Sequence, residues 1–187
     1  MKKLIPIFVA LFVILIGANA GNQAHALDLK MVFVPASEKG DDKDYESLIE
    51  IIEKLSGYSI KSIKVTDYNA AVEAMRADRA QIAWFGGKTY IQAAEIADAQ
   101  AFAAGIRKGA SDATYFAYFV VRADSPITKF EEVRGKLLAL NSIGSTSGDL
   151  IPQVELSKVG LSTKKADHFK KVFYAGSHDA CLLSVIN

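Results

Sequence analysis

The most informative chemistry in the chain lies in Gly144-Ser145-Thr146-Ser147-Gly148, which follows the apolar run Leu137-Leu138-Ala139-Leu140 and precedes a helical pattern. A helix start offers unpaired N–H groups and a partial positive charge, so a loop there is a ready anion site. Three consecutive hydroxyls add donors that can be aimed at several oxygens of one tetrahedral group, and the glycines let the backbone approach closely. A compact oxyanion suits that arrangement. The residues alone leave a second reading open, in which Ser145 or Thr146 is an ordinary helix cap with its neighbours in solvent.

Other residues suit the same chemistry. His178 ends the helix-opening stretch Ala175-Gly176-Ser177-His178; it can donate to an anion and, when protonated, neutralise it, or it can be a cap or surface residue. Tyr68 and Tyr115 can present phenols at the rim of a cleft, or serve as amphipathic packing residues. Trp84 offers apolar surface, either as a core residue or as a cleft wall among few polar groups.

Competing chemistries fare worse. The nucleophile elbow G-x-S-x-G needs serine where Thr146 stands. His178 and Asp179 are adjacent, a poor arrangement for a base and its orienting partner. Beyond His25 the chain offers only His168, His178 and the single Cys181, with no H-E-x-x-H or C-x-x-C spacing. Neither phosphate-cradling pattern, G-x-x-x-x-G-K-[ST] or G-x-G-x-x-G, occurs. The expectation is therefore a non-enzyme without metal or cofactor. Leaving out Lys2 and Lys3, 20 basic residues face 21 acidic ones with no basic block, which argues against a nucleic-acid partner and for a small molecule or a protein.

The elements that must position these residues follow from periodicity. Residues 27–34 alternate Leu27, Leu29, Met31 and Phe33 before Pro35, as a strand ending in a loop does. Tyr45, Leu48, Ile49, Ile52 and Leu55 recur at helical spacing, with Asp44 as N-cap and Gly57 as stop. Ile60, Ile63 and Val65 mark a second strand, and Asp67 caps a helix that turns Ala71 and Met75 inward. Residues 81–85 form a third strand, broken at Gly86-Gly87 before an Ala-rich helix over 89–98. This alternation predicts a largely parallel sheet covered on both faces. A short strand over 101–106, a polar loop at 108–112 and a crossover strand over 115–122 come next. Asp124-Ser125-Pro126-Ile127 then opens a short helix through Val133. Strands over 136–140 and 171–174, each followed by a helix, complete the pattern, with Gly160 ending the first of those helices.

The start of the chain has a secretory layout: Lys2 and Lys3, an apolar run over 4–16 too short to span a bilayer, and small residues that allow cleavage after Ala20 or Ala26. Cleavage after Ala26 starts the mature chain on a strand. With one cysteine, remote from both sites, neither a disulfide framework nor a lipid anchor is expected, and a periplasm is the simplest destination.

Ser145-Thr146-Ser147-Gly148, with Trp84-Phe85-Gly86, Asp67-Tyr68, Asp124-Ser125-Pro126-Ile127 and Ala175-Gly176-Ser177-His178, resembles the phosphate/phosphite/phosphonate-binding periplasmic proteins of ABC importers, with the motifs in the family's order. The resemblance implies an α/β, two-lobed periplasmic binding protein fold (type II), with parallel-rich sheets and helices on both faces. It divides the chain into a signal peptide (1–26), a first lobe (27–114) and a second lobe (115–187). It also implies a monomer that holds a small phosphorus oxyanion through Ser145, Thr146, Ser147, Tyr68, Tyr115 and His178, beside Trp84, and delivers it to a membrane permease. The loop around Gly109 leaves Tyr118 as an alternative to Tyr115. Related proteins are considerably longer, so the expectation is a second lobe lacking its last strands and its return to the first, and a truncated product with impaired binding. Rival readings on the same scaffold are a binding protein for sulfate, an amino acid or a thiamin-like molecule, and a ligand-sensing module.

Overall fold

The computed structural model describes residues 28–36 and 41–187, and side chains from residue 45 onward in the second stretch. The signal-peptide expectation lies outside the described residues. Three strands, β1 (Asp28–Phe33), β2 (Ser59–Ile63) and β3 (Ile82–Trp84), form a parallel sheet in the order β2-β1-β3. β1 is central, with Met31 opposite both Ser62 and Ile82. Its side chains alternate between two cores, as a parallel strand covered on both faces requires. Met31 and Phe33 join Ile49 and Ile60 against helix α1 (Asp41–Ser56). Val32 and Val34 join Ala71, Ala74 and Tyr68 against helix α2 (Tyr68–Arg76).

Local signals explain where these helices begin and end. The Asp67 carboxylate accepts the Ala70 N–H at 2.9 Å and caps α2. α1 stops at Gly57, whose φ of +75° suits a residue without Cβ. Asp44 does not cap α1, which already starts at Asp41; acidic residue types at 41 and 42 suit the positive end of a helix equally well, so capping type alone does not choose among them. Helix α3 (Gly87–Ala97) opens directly after β3 at Gly86 and closes at Asp98 in a left-handed conformation.

A second unit holds β4 (Leu137–Leu140) and β5 (Lys171–Tyr174), paired in parallel, with Leu140 opposite Tyr174. Helices α4 (Ile151–Lys158) and α5 (His178–Ile186) follow these strands. Its core gathers Leu156, Leu161 and Phe169, with Leu138 and Val172 from the sheet. The two units are called the first and second lobes below.

Two predicted strands do not form. Residues 101–106 and 115–122 carry no ladder, and Phe102, Phe116 and Tyr118 are exposed. β propensity expresses fit to a pleated, half-buried surface, and among the described residues no neighbour pairs with these segments. The helix expected after Pro126 shrinks to a 3₁₀ turn, Phe130–Val133. Its start is shifted because the Glu132 carboxylate accepts the N–H groups of Thr128 (2.7 Å) and Lys129 (3.1 Å).

Candidate anion-binding site between the lobes

The Ser-Thr-Ser segment stands where two helix starts meet. β4 ends at Leu140, and the chain turns through Gly144 into a π turn, Thr146–Leu150, before α4. Pro152 has no N–H to give the Gly148 carbonyl one turn back, so that carbonyl accepts the Asn141 N–H at 2.9 Å instead. Turns of this kind recur at functional sites. Across the seam, α3 of the first lobe points its own N-terminus at the same turn.

The contacts across that seam are specific. The Lys88 N–H donates to Thr146 Oγ1 at 2.8 Å. The Thr89 hydroxyl, fully buried, donates to the Gly144 carbonyl at 2.8 Å. Lys88 Nζ bonds the Ile143 carbonyl and lies 2.5 Å from Asp149 Oδ2. Asp149 is 1% exposed, and its other oxygen receives Gln153 Nε2 (2.6 Å) and the Tyr174 hydroxyl (2.8 Å). Burial and the bond to this carboxylate push the Tyr174 phenol up to about 12.

Each residue singled out in the sequence has a definite place. Ser145 is buried and its oxygen accepts the Gly148 N–H at 3.0 Å, so it caps the turn and has only its hydroxyl proton left to donate. Thr146 accepts from Lys88 and likewise keeps its proton. Ser147 follows, half-buried, at the second position of the turn. Tyr68 packs its Cβ on Gly144 so closely that a methyl there would stand 2.5 Å away. The Tyr115 hydroxyl and Thr146 Oγ1 both approach Gly86, at 3.7 and 3.0 Å from the position a Cβ would take, whereas Tyr118 is 77% exposed. His178 opens α5 behind the cap Ser177, and its N–H donates to the Ala36 carbonyl at 3.1 Å, a second junction between the lobes. Burial holds the His178 imidazole below its ordinary value, against the opposing pull of Asp179. The Trp84 ring lies over Gly105 and is 40% exposed.

Lys88, Thr89 and Asp149 were not among the sequence candidates. The signal was present in Gly86-Gly87-Lys88-Thr89, a second glycine-containing loop between a strand and a helix. Among the described residues no group of His, Cys, Asp or Glu could hold a metal ion, and no helix is long and apolar enough to cross a membrane.

Two parallel α/β lobes whose helix starts face one another across a seam make up a two-lobed α/β scaffold. The family described as "ABC transporter, phosphonate, periplasmic substrate-binding protein" matches residues 31–187. The chain is 30% identical over 166 residues to the phosphate-import protein PhnD of Mycolicibacterium smegmatis, covering 85% of this chain and 52% of that protein. Two crystal structures share its fold. One is a binding protein component of an ABC phosphonate transporter from Pseudomonas aeruginosa (TM-score 0.71, 22% identity, 84% of this chain and 53% of the other). The second is PhnD1 from Prochlorococcus marinus in complex with methylphosphonate (TM-score 0.61, 23% identity, 84% and 59%). The chain belongs to the phosphonate-binding family of periplasmic substrate-binding proteins of ABC transporters. It spans about half the length of the curated relatives it matches.

Proposed function

We propose that this chain is the periplasmic, non-enzymatic binding component of an ABC importer and that it grips a small phosphorus oxyanion, a phosphonate, phosphite or phosphate, between its lobes. The observation that carries this reading is the meeting of the α3 start with the Thr146–Leu150 turn, joined by the 2.8 Å bond from Lys88 N–H to Thr146 Oγ1. Two positive helix ends aimed at one place favour a negative ligand, and hydroxyl protons supply short directional bonds to its oxygens. In this assignment Ser145, Thr146 and Ser147 donate from the second lobe. Tyr68, buried beside Gly144, and Tyr115, whose hydroxyl approaches Gly86, donate from the first-lobe side and the crossover, His178 complements charge, and Trp84 walls the outer side. Residues 27–114 and 115–187 act as the two lobes, hinged through the extended segment at 115–121, and the closed form is delivered to a membrane permease. The names of its relatives, which speak of phosphate and phosphonates, support the ligand class.

Calorimetric titration with methylphosphonate, phosphite, phosphate and sulfate tests this reading. Thr146→Ala removes a donor to charged oxygen worth about 1.5–3 kcal/mol, and adding Ser145→Ala also removes the cap of the turn. The expected result is binding of at least one phosphorus oxyanion that falls 10-fold or more in the double variant. Binding of sulfate alone, or unchanged affinity in the double variant, rejects it.

A further inference from the structure

We propose that Lys88 is a positioning residue that staples the oxyanion turn from the opposite lobe and makes its geometry conditional on lobe closure. Lys88 lies 55 to 61 residues away in sequence from the groups it holds. Its main-chain N–H bonds Thr146 at the middle of the turn, while its ammonium group reaches both shoulders, the Ile143 carbonyl before the turn and Asp149 after it. Thr89, next along α3, fixes Gly144 between them. A single lysine therefore spans the whole Ser-Thr-Ser segment.

The environment of the pair suits making and breaking. Exposed ion pairs contribute little, but here one partner is 1% exposed, where water competes poorly for the carboxylate. When the lobes part, Asp149 retains Gln153 and Tyr174, both donors from its own lobe. Lys88, already 28% exposed, swings its flexible stem into water. Neither charge is left stranded, so opening is not penalised as the loss of a fully buried pair would be. In the closed form the ammonium also supplies positive charge beside the turn without occupying the hydroxyl protons of Thr146 or Ser147.

This inference rests on the oxyanion reading for its purpose, but its geometry is testable without ligand. Lys88→Met keeps the length of the stem and the main-chain N–H while removing the charge, and Asp149→Asn removes the pair from the other end. Amide exchange followed by NMR on the ligand-free chain should show the amides of residues 88 and 148, bonded to Thr146 and Ser145, exchanging at least 10-fold faster in both variants. Amides of the β1 core should be unchanged, and Lys88→Arg should restore protection. Methylphosphonate affinity by calorimetry should fall 10-fold or more in Lys88→Met and stay within about 3-fold of wild type in Lys88→Arg. Wild-type protection at residue 88 in both variants overturns the proposal. So does Lys88→Met behaviour in Lys88→Arg. If the wild-type chain binds no phosphorus oxyanion, the ligand reading fails, while the exchange pattern still decides whether Lys88 positions the turn.

Discussion

Replacing Gly144 by alanine should act as a wedge between the lobes. Gly144 is buried and its φ is not in the left-handed region, so alanine meets no backbone penalty there and only the added methyl matters. That methyl would lie 2.5 Å from Tyr68 Cβ and 3.3 Å from its Cγ, whereas carbon atoms rest at about 3.5–4.0 Å. A shift of about 1 Å or more is required. Neither Cβ can rotate away, because each is fixed to its own backbone, and Tyr68 is only 4% exposed within the Val32, Ala71 and Ala74 cluster. The lobes must therefore move apart. The 2.8 Å bonds from Thr89 to Gly144 and from Lys88 to Thr146 would stretch beyond hydrogen-bonding range. Overpacking of this kind costs about 1–3 kcal/mol, which corresponds to roughly 5- to 150-fold in ligand affinity if closure is required for binding. Calorimetry with methylphosphonate reads this directly, beside urea unfolding. Gly57→Ala is the control: its φ of +75° carries strain of about 1–2 kcal/mol but nothing lies within 4 Å, so stability should fall and affinity should not. A Gly144→Ala chain with wild-type affinity would refute the reasoning that the seam must close over the turn.

Three further outcomes follow from local geometry. Asp67→Ala removes the bond to the Ala70 N–H and should lower stability by about 1 kcal/mol in urea unfolding. Because the folded His178 imidazole titrates below its unfolded value of about 6.5, its contribution to stability is present above that pH and is lost as pH falls through the depressed folded value; His178→Gln should flatten this acid-side decline in urea midpoints. Tyr174, raised to about 12, contributes fully below pH 10 or so and loses that contribution as pH rises through its folded value. Ultraviolet titration should show a late phenol step that is absent in Tyr174→Phe.

Signals confined to a few neighbouring residues were legible without coordinates. The alternation of Met31 and Phe33 against Val32 and Val34, the Asp67 cap, the Gly57 and Gly160 stops and the Ser-Thr-Ser stretch before a helix depend on period, capping and glycine freedom, all properties of adjacent residues. Together they determined two sets of parallel α/β units and the place of the Ser-Thr-Ser turn. Tertiary structure decided what required a distant partner. Residues 115–122 have the composition of a strand but lack a ladder, because a strand exists only where another chain segment accepts and donates its backbone bonds. Ser145 could not be known as the buried cap until Gly148 was seen folded onto it. That the Tyr115 hydroxyl approaches Gly86 while Tyr118 is exposed could likewise be read only from the folded chain. Lys88 and Asp149 carry no local pattern that links them, since their 2.5 Å approach depends on two lobes docking and not on spacing along the chain.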